Sequence, residues 1–154
     1  MQDDLSSEYQ SGHSTAKKAA ALLVAKGTGF IVPTGKQRQD LLVAFARKGN
    51  VVYGKAFDVV KIAGAVDLNN PDDIERQLAC ITVFEIKSSR KQLRAGFGGF
   101  FFSLTGAEVL VAQSLKKQFK FVLVNTITGE HLELGLADIF ARAKGIYPSW
   151  SICF

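Results

Sequence analysis

The sequence predicts an α/β sandwich on a central mixed sheet, in the order helix, three antiparallel strands, helix, strand (αβββαβ). Three observations carry that reading. Leu78–Lys87 is apolar on both alternating faces up to Glu85, as a strand covered from two sides must be. The tetrad Thr105-Gly-Ala-Glu108 is a capping box opening a helix that runs to Leu115 and is apolar nearly all round. KFVLVNTITGEHLEL then reads as strand, turn at Thr128-Gly129, and strand.

The remaining elements follow in chain order. Thr15–Lys26 (TAKKAAALLVAK) is rich in strong helix formers, with Gly27 where a helix C-terminus prefers glycine. That helix can start as early as Leu5, and the polar opening, residues 1–14, is expected to be flexible. GFIVPTG predicts a short strand stopped by Pro33, and DLLVAF, Asp40–Phe45, a second. RKGN is a turn, after which a long strand is expected from Val51 to Ile62. Asp67–Gln77 is polar and acidic, an insertion forming a surface loop or short helix. LADIFARAKG predicts a closing helix ending at Gly145.

At 154 residues the chain suits one domain, residues 1–154. With 47% hydrophobic and 21% charged residues, wholesale disorder is excluded. The net charge of +5 favours a polyanionic partner. Cys80 and Cys153 form no metal-type spacing, which favours reduced thiols and a cytoplasmic setting. No secretory leader is visible. Ala95–Leu115 is long enough to span a bilayer, but its glycine cluster argues for a buried strand followed by a buried helix instead, so no membrane partner is expected. GFGGFFF has the wrong spacing for a dinucleotide fingerprint, and no nucleotide cofactor is expected. His13 and His131 have no partner spacing, and no Gly-x-Ser-x-Gly elbow exists. Ser103 and Thr105 suit helix caps better than nucleophiles.

The chemistry concentrates in ITVFEIKSSR, where a core strand ends in Glu85 and Lys87. Their side chains leave one face about 7 Å apart, so both can reach one ion or one phosphate. A carboxylate supplies a hard oxygen for Mg²⁺, and the Ile86 carbonyl is a further donor. Asp58, in an otherwise apolar strand, is expected beside Phe84 or Glu85 if the two strands pair antiparallel. Asp40 is the reserve carboxylate. Asp72 and Asp73 follow Pro71 but lie in the polar loop. The bland readings are a surface ion pair of little energetic worth for Glu85 and Lys87, and an aspartate bonding local backbone for Asp58.

Asp58, then Glu85-Ile86-Lys87, between a leading helix and a following helix and strand, resembles the PD-(D/E)xK nuclease superfamily with its restriction-endonuclease-like α/β/α fold. EIKSS and FFSLTGAE are similar to the restriction-type nuclease domains related to the C-terminal region of the plant NO VEIN protein. The likeness covers about Tyr53–Asn125, although no proline precedes Asp58. The resemblance implies a DNA endonuclease of restriction or DNA-processing type, using Mg²⁺ with Mn²⁺ able to substitute. It implies Asp58 and Glu85 as metal ligands and Lys87 as the residue that orients water or stabilises charge. Glu8 matches a further metal-linked glutamate and Gln113 an auxiliary contact. Arg90, Lys91, Arg94, Lys116, Lys117 and Lys120 are expected to contact nucleic acid, with binding that weakens in salt. Cleavage of two strands favours a homodimer. The alternative is a catalytically inactive DNA-binding module, or a subunit of a restriction or repair complex, with the same fold.

Overall fold

In the computed structural model the described residues are 2–53 and 55–154, with 2–13 described by backbone alone. The chain is mixed α/β, with a five-stranded mixed sheet in the order β1-β2-β3-β4-β5. Helix α1, Gln2–Ala25, turns its Ala19 and Leu23 onto one face of the sheet, against Phe30, Val59, Phe84, Ile86, Val122 and Val124. It ends where Gly27 takes φ +67°, a left-handed value that glycine adopts without a Cβ clash. Strand β1 is short, Phe30–Ile31, and Pro33 follows it.

The predicted strand over Asp40–Phe45 is instead helix. Helix α2 spans Gly35–Arg47, opened by a capping box in which the Thr34 hydroxyl and the Gln37 side chain bond each other's backbone N–H. Its buried residues, Leu41, Ala44 and Phe45, stand at i, i+3 and i+4, a helical spacing hidden within a short apolar run. Nor does a strand run from Val51. Strand β2 is only Val59–Ile62, and the described residues between Val51 and Asp58 lack regular structure. The three antiparallel strands are therefore β1, β2 and β3, with α2 inserted after the first.

The acidic insertion contains helix α3, Pro71–Arg76, with Asn70 as its cap and proline in its first turn. Strand β3, Ile81–Ser89, occupies the centre of the sheet, antiparallel to β2 and parallel to β4, Phe119–Asn125. Its alternation is as the pattern predicts: Ile81 and Val83 enter one core cluster, and Phe84 and Ile86 the other. Helix α4, Gly106–Leu115, begins at the expected capping box of Thr105 and Glu108. Strand β5, His131–Leu134, closes the sheet beyond the turn at Gly129, where φ is +75°. Helix α5, Leu136–Arg142, buries Ile139, and the tail beyond it leaves Trp150 and Phe154 exposed.

Helices α2 to α5 contribute to the core on the face opposite α1. The strand expected after Ala95 is absent, because Gly96, Phe97 and Gly99 all have positive φ and break extended backbone. Among the described residues no helix is long and apolar enough to cross a membrane.

Candidate active site

The site is built on the α2–α5 face of the sheet, where β3 passes the end of β2. Register pairs Val59 with Phe84, so Asp58, one residue before β2, stands opposite Glu85. The Asp58 N–H donates to the Phe84 carbonyl at 2.8 Å and so extends the ladder by one bond. There the backbone pairing stops, and the Ile86 N–H donates to Asp58 Oδ2 at 2.9 Å instead. A residue's N–H and C=O leave a strand on the same edge, so the Ile86 carbonyl faces that same side. The backbone-bonding role weighed for Asp58 is thus real. It fixes one carboxylate oxygen and aims the group along β3.

Lys87 follows Glu85 on the same face. Its ammonium lies 3.7 Å from Glu85 Oε1 but donates to Glu108 Oε1 at 2.8 Å. Glu108 is held by both oxygens, since its Oε2 accepts the Thr105 N–H at 3.0 Å. The α4 N-terminus favours negative charge at this point. The three side chains are well covered: Glu85 is 16% exposed, and Lys87 and Glu108 are each 14% exposed. These are not the solvated groups of an ordinary surface pair, and β3 is central rather than an edge strand.

Burial and the neighbouring Asp58 carboxylate push the Glu85 carboxyl up to about 9, against the opposing pull of Lys87, with Glu108 adding to the rise. One ammonium is thus set among three carboxyl groups. Arg38, on α2, directs its guanidinium to the Phe57 and Asp58 carbonyls rather than to a carboxylate. It also lies over the Phe57 ring, 5.0 Å from the centroid. Arg38 therefore locks the backbone that presents Asp58.

Asp58, Glu85 and Lys87 converge as the pairing argument requires. Asp40 does not join them, because it is on helix α2 and pairs with Lys36. Gln113 is exposed on α4, about 140° around the helix from Glu108. The Glu8 side chain lies outside the described residues. Asp73 accepts bonds from the Asp67 N–H, Gln77 and Arg76, a network within the acidic insertion, and this holds its carboxyl below its ordinary value.

The six basic residues divide three ways. Arg90, Lys91 and Arg94 are exposed just beyond the end of β3 that carries Lys87. Lys116 and Lys117 precede β4, whose first residue pairs with Val83, some 20 Å along the sheet from Ser89. Lys120 leaves β4 on the α1 face, since Phe119 and Phe121 face the other cluster.

Two members of the site were not foreseen as such. Glu108 was legible as a cap, and the only further signal is that a capping carboxylate has a second oxygen to offer. Arg38 carries no sequence signal, because its partners are carbonyls 19 and 20 residues away. Among the described residues no three His, Cys, Asp or Glu side chains form a ready cage for a metal. A cavity of about 780 Å³ lies elsewhere, toward the other end of β2, lined by Ile31, Ile62, Gly64, Val66, Asp67 and Asp73 among others.

Compared with known proteins, the chain matches no family model, no curated protein and no solved structure.

Proposed function

We propose that this protein is a metal-dependent nuclease of the PD-(D/E)xK kind, hydrolysing DNA phosphodiesters at Asp58, Glu85 and Lys87 on a restriction-endonuclease-like scaffold. The observation that carries this reading is Asp58, just before β2, facing Glu85 on the central strand, with one lysine among three partly buried carboxyl groups. Such crowding favours a cation. The donors suit Mg²⁺ or Mn²⁺: hard oxygens from Asp58 and Glu85 and the Ile86 carbonyl, with the remaining positions left to water and phosphate, as Mg²⁺ prefers. A divalent ion bound there would acidify a water and polarise a phosphoryl oxygen.

The chain's own residues do the rest. Asp58 is oriented by the Ile86 N–H, and its backbone by Arg38. Glu108 holds the Lys87 ammonium in one place, ready to donate to a phosphate oxygen as negative charge builds on it. Arg90, Lys91 and Arg94, beyond the same end of β3, supply countercharge for the backbone of the substrate.

A second reading has its own observation. Asp58 and Glu85 can satisfy each other by sharing one proton, which the raised Glu85 value expresses, while Lys87 pairs with Glu108. A silent DNA-binding module would look the same. Plasmid nicking with Mg²⁺, Mn²⁺ or EDTA decides between them. The nuclease reading expects metal-dependent nicking that disappears in Glu85→Ala and in Lys87→Ala. Retained DNA binding without nicking under any metal would leave the silent module.

A further inference from the structure

The segment between Lys87 and Glu108 begins and ends at the site, and it is not a slack loop. Its start is pinned to the end of β4: the Thr126 N–H donates to the Ser89 carbonyl at 2.9 Å, and Asn125, itself buried, reaches the Lys91 carbonyl at 3.5 Å. Arg94 and Gly98 then exchange two backbone bonds, at 2.9 and 3.2 Å, closing a tight turn through Gly96 and Phe97, both left-handed. A Cβ on Gly98 would sit 3.1 Å from the Arg94 Cβ, so the turn admits little else there.

Beyond the turn the chain carries three consecutive phenylalanines, and they do not behave alike. Phe97, Phe100 and Phe102 form a run of ring contacts, with centroids 5.9 and 5.7 Å apart, and all three pack on the core of the site face. Phe101, between two anchored neighbours, is 74% exposed. A large apolar ring is thus held in water by a backbone fixed on both sides, in a segment whose exposed charges are Arg90, Lys91 and Arg94. Cations that suit phosphates together with a presented aromatic face are what an unpaired nucleotide binds, since every base has a face to stack while its backbone carries charge.

From this we infer that Phe101 is a base-stacking contact, and that the nucleic acid taken by this site presents at least one unpaired base beside the scissile phosphate. The inference deepens the nuclease reading and rests on it for the phosphate, but the stacking itself is a binding event. The preferred class of substrate is then single-stranded DNA, a flap or a junction, above an unbroken duplex.

The test is fluorescence polarisation in EDTA, where nothing is cut, with three labelled probes of about 12 nucleotides, within the usual span of a single-strand site. These are a base-bearing single strand, an abasic strand of the same length, and a blunt duplex. The wild type is expected to favour the base-bearing strand over both others. Phe101→Ala is expected to weaken that strand on the order of tenfold and leave the abasic strand unchanged, while Phe101→Tyr keeps the preference. Equal affinity of the wild type for base-bearing and abasic strands would overturn the inference. So would a Phe101→Ala protein with a normal melting curve that loses both strands equally, or no binding to any probe. Absence of nicking under every metal would remove the nuclease reading and leave this result standing.

Discussion

The two faces of the sheet each carry partly buried charge, and they balance it differently. On the α1 face Lys61 of β2 pairs with Glu133 of β5, each 27% exposed, one base against one acid. Lys61 also lies over the Phe30 ring, 4.2 Å from its centroid, and Phe30 packs edge-on against Phe84 and His131. His131 in turn contacts the exposed Lys26 ammonium at 3.1 Å. On the other face a single ammonium, Lys87, bonds Glu108 and lies 3.7 Å from Glu85, whose carboxyl group in turn faces Asp58. A balanced pair belongs to the architecture, and its net energetic worth is small. In the second cluster a proton held by Glu85 offsets part of the acid surplus, a place that a bound cation would take.

The largest effect that can break this contrast is on catalysis. Lys87→Ala and Glu85→Ala are each expected to lower nicking by about 10² to 10³-fold, the usual cost of removing a transition-state charge contact. Lys61→Met, on the α1 face, is expected to stay within about threefold, because loss of a partly exposed pair remote from the site costs about 1 kcal/mol. Equal losses on the two faces in a nicking assay would erase the distinction.

Glu108→Gln sharpens it further. Glutamine still closes the capping box, so helix α4 is kept while Lys87 loses its charged partner. A fall of about tenfold in kcat is expected, the lower end for a hydrogen bond to a charged group. An unchanged kcat, with a normal melting curve, would show that Lys87 needs no anchor.

The faces also answer pH with opposite signs. The folded Glu85 keeps its proton up to about 9, whereas the unfolded carboxyl loses it near 4.5. The native state then holds more protons across that window, so its contribution to stability is full at the acid end and falls as pH rises toward 9. His131 is held below its ordinary 6.5 by burial first, then by Lys26, with Lys61 adding to it. Its contribution is present above 6.5 and is lost on acidification. Thermal melts without added metal should therefore show a decline from pH 5 to 9 that Glu85→Gln flattens, and a smaller acid-side loss that His131→Gln removes. A decline that persists in Glu85→Gln would place the proton elsewhere.

The smallest effect concerns the basic groups. Arg90→Ala or Lys91→Ala, beside the site, is expected to weaken DNA binding a few-fold and reduce the salt slope by about one, as loss of one phosphate contact does. Lys116→Ala with Lys117→Ala, about 20 Å along the sheet, should leave both nearly unchanged. The reverse ranking in a salt titration would move the DNA path to the other end of the sheet.

What could be read from the chain alone follows a physical line. The box at Thr105 and Glu108, the cap at Gly27 and the turn at Gly129 are local patterns, and each stands where its pattern puts it, whereas the strand expected over Leu78–Lys87 runs from Ile81 to Ser89 because Leu78–Cys80 forms a 3-10 turn. The juxtaposition of Asp58 with Glu85 follows from the antiparallel pairing of β2 with β3. Helix α2 was missed because Leu41-Leu-Val-Ala-Phe45 is too short an apolar run to separate helix from strand by period. The better signal is the box at Thr34 and Gln37, nine and six residues upstream of the run's centre at Val43, in a stretch dominated by polar side chains. The links from Glu108 to Lys87 and from Arg38 to the Asp58 carbonyl are tertiary, and only the packing of α4 and α2 on the sheet creates them.

The central claim is that Asp58 and Glu85 hold a divalent ion in place of a shared proton. Titration calorimetry with Mn²⁺ at neutral pH, repeated in two buffers of different ionisation enthalpy, tests it most directly. The account predicts one site, close to one proton released per ion bound, and loss of the site in both Asp58→Asn and Glu85→Gln. Binding that survives Glu85→Gln, or a wild type that takes up no Mn²⁺ at millimolar levels, would contradict it.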